Sequence, residues 1–333
     1  MKDRLRVKAS TLMDVYAQLK KEYKWRSNDI SLRFTACIYA LTGKAFAFKE
    51  FDQATKHIKK STGLFSYFRS SLLYPIAAQL VNNFDDPQQA FAQILEYDKA
   101  LKANGFKSTS QRGIAAYALL LTCPHGELES RISRAMKLYK RMKKEHPWLT
   151  SANSYGVVVL LAAENQSLDS LLNKMEENYQ LLREHGFKRS SGLQLLSHLL
   201  TFSPEPGEEL SRRCQRIMDF LQTNRLKVSS MYYGAIGLMA LLGESCYQGL
   251  DDIVEMADYL KENKAFKWYY KELNLMMICA LVANEYVEDQ KQQNLGTTSL
   301  GIAMEALIAA QTAAMFTVIA TTSAATNAGT SSN

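Results

Sequence analysis

A bulky side chain recurs about every forty positions along this chain, each time inside a short turn, and that spacing limits the fold more than any other feature. The series is Trp25, Phe65, Phe106, Trp148, Phe187, Leu226 and Phe266, with steps of 40, 41, 42, 39, 39 and 40 residues. A hydroxyl residue follows within three positions at Ser27, Ser66, Ser108, Thr150, Ser190 and Ser229, and Trp268 stands in its place after Phe266. A second series, Tyr16, His57, Tyr97, Tyr139, Tyr179, Met218 and Tyr259, precedes each turn residue by seven to nine positions. That is about two helical turns, so both series face one side of a helix. Leu19, Leu101, Met142, Leu182, Leu221 and Leu260 complete the apolar stripe.

After each turn comes an apolar segment rich in small residues, such as 157–163 or Gly234, Ala235, Gly237 and Ala240. Such segments are hydrophobic on more than one face, as helices buried between neighbours are. The helix before each turn is amphipathic and charged. Gly105 and Gly186 stand where a helix C-terminus takes a left-handed residue, and Ser108 and Thr150 where the next helix takes an N-cap. The expectation is an all-α protein of about seven antiparallel helical hairpins over residues 1–287. An open α-solenoid of HEAT-like period is the first reading and a closed α/α toroid the alternative. The 34-residue period of tetratricopeptide repeats does not fit.

With 47% hydrophobic residues the chain can build a large core, and six prolines and sixteen glycines are too few for a β-rich fold of 333 residues. Five cysteines without a CxxC pair suggest neither a disulfide framework nor a zinc site. The first residues lack the apolar stretch of a signal peptide, so a cytoplasmic setting is expected. A net charge of +7 permits a polyanionic partner. Arg26, Arg69, Lys107, Lys188, Arg189, Lys227 and Lys267 form a candidate binding rim, although helix capping accounts for each one singly.

Beyond residue 287 the composition changes. A charged, Gln-rich linker (288–298) leads to an Ala/Thr/Met-rich helix (299–323) and a disordered tail (324–333). Leu300, Met304, Leu307, Gln311, Met315 and Val318 recur at three- and four-residue steps, a seam for a partner protein or for self-association. Membrane insertion of residues 300–322 is the alternative. It is opposed by Glu305, since an acid at the centre of a span costs about 2.5 to 3.5 kcal/mol.

No catalytic, cofactor or metal motif is present to assign. His57 falls in the tyrosine series, His146 and His185 at helix ends, and His198 in an apolar helix, all readable as structural. Cys123 and His125 offer two ligands where zinc needs three or four. Glu176, Glu177, Asp251 and Asp252 read as parts of charged helix faces. The functional expectation is a non-enzymatic protein-interaction scaffold. One alternative is an enzyme on a closed toroid with a central cavity. The other is a peripheral binder using the basic rim, with an anionic membrane ahead of nucleic acid.

The segments "GLFSYFRSSL" (63–72), "HPWLTSANSY" (146–155) and "EHGFKRSSGLQLLSHLL" (184–200) resemble an uncharacterised family of Gram-positive bacteria, catalogued as domain of unknown function four-thousand-and-three. The resemblance spans most of the chain. It implies a bacterial cytoplasmic protein and brings no activity, cofactor or site residue.

Overall fold

The computed structural model describes residues 1–24, 27–70, 72–124, 126–267 and 271–292, within which all regular structure is helical. The first hairpin is α1 (Asp3–Tyr23) with α2 (Asp29–Thr42), and the second α3 (Phe48–Ser61) with α4 (Leu73–Asn83). Then come α5 (Pro87–Ala103) with α6 (Ser110–Thr122), α7 (Leu128–Glu145) with α8 (Tyr155–Leu161), and α9 (Leu168–Glu184) with α10 (Ser191–Leu200). The sixth pairs α11 (Gly207–Thr223) with α12 (Tyr233–Ala240); the seventh is α13 (Cys246–Glu262), the one-turn α14 (Lys264–Lys267) and α15 (Lys271–Gln292).

The two helices of a hairpin are buried differently. On α3 only Phe51, Ala54, Thr55 and Ile58 are buried, one stripe at three- and four-residue steps, while its lysines face water. The second helices are enclosed on every side: residues 30–40 of α2, 73–81 of α4, 111–119 of α6 and all of α8 and α12 are buried, as are residues 273–287 of α15. Small residues permit this closeness. A Cβ on Gly192 would lie 1.8 Å from the Ser230 carbonyl oxygen, so no side chain is tolerated there without moving the backbone. No helix among the described residues is long and apolar enough to cross a membrane.

Successive turns touch one another around the molecule. The Tyr23 and Tyr74 rings lie 4.7 Å apart, and Arg112 stacks on Tyr67 at 5.8 Å. The Lys107 amide donates to the Tyr155 hydroxyl at 3.1 Å, and the Gln194 amide to Thr150 Oγ1 at 2.7 Å. Ser190 Oγ donates to the Ser230 carbonyl at 3.4 Å, and Ser229 Oγ to Glu272 at 2.6 Å. The seventh turn then meets the first hairpin: Arg33 donates to the Ala265 carbonyl at 2.6 Å and stacks between the Tyr16 and Phe266 rings, 4.7 Å from each.

The outer sides of those terminal hairpins also join. Lys8 Nζ lies 3.0 Å from Glu285, Arg4 bridges Glu285 and Asp289, and Ser10 and Tyr259 share a hydrogen bond of 3.2 Å. Three sequence readings change here. Asp252 is buried, accepting from the Tyr286 hydroxyl at 3.0 Å, because it lies under this joint rather than on a charged face. Glu288 and Asp289 continue α15 and pair with Lys8, Lys2 and Arg4, so they are not linker. Thr150 is no N-cap: it is buried and donates back to the Met142 carbonyl, and Ser151 caps instead. The segments 299–323 and 324–333 lie outside the described residues.

Candidate functional site

The turns that end the outer helices are of two kinds. In the third and fifth hairpins a left-handed glycine, Gly105 (φ +90°) or Gly186 (φ +84°), swings the chain inward. The next amide then bonds back five residues, Phe106 to Leu101 and Phe187 to Leu182. Both phenylalanines are buried edge-on against the tyrosine that opens the inner helix of the following hairpin, Phe106 on Tyr155 at 4.7 Å and Phe187 on Tyr233 at 5.0 Å. Phe266 is buried likewise, edge-on to Tyr16 at 5.3 Å. Around them an inner-helix polar group holds the turn carbonyl: Arg112 donates to Phe106 and Asn274 to Phe266.

The second and fourth turns run outward. Phe65 is 103% exposed and Trp148 93%, which departs from the expected buried anchor. The α3 C-cap Thr62 is extended, and the buried position passes to Phe68, edge-on to Phe91 at 5.5 Å. After α7 a 3-10 turn (Ala152–Ser154) intervenes and Thr150 is buried in place of Trp148. Leu226 is half-buried, and Trp25 and Arg26 lie outside the described residues.

Lysine and arginine crowd these turns. Residues 59–72, 102–109 and 223–232 hold Lys59, Lys60, Arg69, Lys102, Lys107, Arg225 and Lys227 without one Asp or Glu. Five of the six connections at the other end of the hairpins, 84–86, 123–129, 162–169, 201–209 and 241–245, hold acids and neither Lys nor Arg, while the first, 43–47, holds Lys44 and no acid. Each charge singly answers the dipole of its own helix. The outer helices pack in the same sense, as the Ser10–Tyr259 and Lys2–Asp252 contacts between α1 and α13 and the Arg141–Asp169 and His146–Glu176 pairs between α7 and α9 show. The single contributions therefore add, and the turn end is basic as a whole.

Of the predicted rim, Lys107 is exposed in the third turn and Lys188 with Arg189 in the fifth, and Arg69 donates to the Thr62 carbonyl. Lys227 and Lys267 are brought together. They border a cavity of about 500 Å³ between the sixth and seventh hairpins, with Arg225, Lys261 and Lys271 beside them. Its floor is apolar, made by Leu226, Leu260, Phe266, Leu275 and Ile278, and its one acid among the described residues, Glu272, is engaged by Ser229. Arg225 takes φ +60°, the left-handed position that glycine fills in the third and fifth turns. Aligning "NGFK" (104–107), "HGFK" (185–188) and "NRLK" (224–227) would have exposed it.

A second cleft of about 270 Å³ lies between the fourth and fifth hairpins, lined by His146, Glu176, Tyr179 and His198. His146 Nε2 is 2.5 Å from Glu176. Burial, helped by the nearby His146, pushes the His198 imidazole down to about 3, so it is neutral. Burial also pushes the Cys37 and Cys279 thiols up to about 12, far from a reactive thiolate. Among the described residues no three His, Cys, Asp or Glu converge to hold a metal.

A protein of stacked helical hairpins with one basic end is thus defined. The chain belongs to the family described as "Protein of unknown function (DUF4003)", whose model matches residues 15–313. It is 28% identical over 331 residues to the "Uncharacterized protein YeaA" of Bacillus subtilis (strain 168), covering 97% of each chain. No solved structure matches it.

Proposed function

We propose that this is a non-enzymatic binding protein, a closed α/α ring of seven hairpins that presents its basic turn end to an anionic partner. The contacts of Arg33 with Ala265 and of Lys8 with Glu285 support closure over an open solenoid. Continuous burial of the inner helices argues against an enzyme with a central cavity, because those helices offer no solvent-facing stretch to line one. The observation that carries the reading is the cavity in which Arg225, Lys227, Lys261, Lys267 and Lys271 face one acid over an apolar floor. Such a site suits an anion with an apolar part.

Titration of the full chain with polyanions at several salt concentrations tests this. Affinity should fall with salt, since each phosphate neutralised releases counterions. Arg225→Glu with Lys227→Glu should weaken binding at least about tenfold, each lost contact to a charged group being worth about 1.5 to 3 kcal/mol. Binding that ignores both salt and the double substitution would exclude the basic end as the site.

A further inference from the structure

We propose that the turn end docks on an anionic lipid bilayer, with Leu64, Phe65 and Trp148 entering the headgroup layer. The inference rests on the reading that this end takes an anionic partner. Leu64 is 79% exposed, Phe65 103% and Trp148 93%, whereas the matching Phe106 and Phe187 are at most 3% exposed. The repeat can therefore bury an aromatic at this position, and two of its turns hold theirs out in water instead.

Each projecting turn also carries its own cations. Lys59 and Lys60 stand four to six residues ahead of Leu64 and Phe65, and Lys143 and Lys144 four and five residues ahead of Trp148, with one acid, Glu145, between. An apolar tip behind a lysine pair matches the layering of a bilayer surface. Aromatic rings settle at headgroup depth, and an anionic leaflet attracts the lysines beside them. A nucleic acid would reward the cations and stack on the rings, but it offers nothing to Leu64, which has no π face. Prongs in two separate turns suit a flat, yielding partner better than one with fixed pockets.

The test is flotation of the full chain with phosphatidylcholine vesicles, with and without phosphatidylglycerol, at low and high salt, beside titrations with RNA and inorganic polyphosphate. Binding is expected only with phosphatidylglycerol and should weaken with salt. The combined Leu64→Ser, Phe65→Ser and Trp148→Ser variant should keep the wild-type melting temperature, because none of the three is packed. It should bind those vesicles roughly tenfold or more weakly, a factor set by the apolar area no longer buried. In the wild type but not in Trp148→Phe, brominated lipid should quench the residue-148 contribution to fluorescence. Undiminished vesicle binding by the triple variant overturns the proposal. Binding of RNA or polyphosphate without vesicles overturns it too, while leaving the anionic-partner reading intact; binding to none of these probes sinks both.

Discussion

Phe106 and Trp148 occupy the same place in consecutive hairpins, yet one is locked against Tyr155 and the other stands in water. The repeat period places a residue at a turn; the backbone after it determines whether the side chain is packed. Gly105 in the left-handed region folds the chain back so that the next side chain points inward. His146 at the end of α7, with φ −126° and Pro147 behind it, sends the chain outward and leaves burial to Thr150. Inward turns pack their bulky residue on a neighbour; outward turns leave theirs free to meet something else.

That contrast can be broken in several ways. The largest effect is expected from Phe106→Ala or Phe187→Ala, each losing about 3 to 5 kcal/mol in urea unfolding, as buried aromatic truncations do. If Trp148→Ala proved equally harmful, the distinction between the two turn types would fail. Next comes the joint between the first and last hairpins. Glu285→Ala removes a buried carboxylate from Lys8 and should cost about 3 kcal/mol, with faster amide exchange in α1 and α15. Loss of exchange protection elsewhere and not in these helices would contradict closure there.

His198 borders the pockets beneath the outward fourth turn, with Leu149 and Ser154 on one side and His146 on the other. Burial holds it neutral in the folded chain, down to about 3, against about 6.5 when unfolded. Its contribution is fully present above pH 6.5 and declines as pH falls, because the unfolded chain takes up the proton. At about 1.4 kcal/mol per pH unit, acidification from 6.5 to 5 should cost about 2 kcal/mol. His198→Asn should flatten that slope; an unchanged slope would place the titration elsewhere. The smallest effect belongs to Phe65→Ser, which should shift stability by no more than about 0.5 kcal/mol.

The helical hairpins and their count were legible because apolar residues repeat at helical steps and the turn residue at forty. Lys227 and Lys267 stand out in the sequence as cations after a bulky turn residue, but the cavity they share does not. That depends on how the sixth hairpin meets the seventh, and no spacing encodes it. Phe65 and Trp148 read as anchors because size and position match Phe106; only the missing Gly-Phe pair set them apart. Asp252 looked like a surface acid since the groups that cover it, Tyr286 on α15 and the Lys2 amide just ahead of α1, lie 34 and 250 residues away.

The Lys8–Glu285 contact joins residues that leave the ribosome far apart in time. At about 5 to 20 residues per second, α1 waits roughly ten to fifty seconds for α15 to be made. Until then α2 covers only part of its apolar stripe, and the side that meets α13 and α15 is open to chaperones or to a neighbouring nascent chain. Contacts this distant in sequence also form slowly, so the joint between the first and last hairpins should be the last and slowest event of maturation.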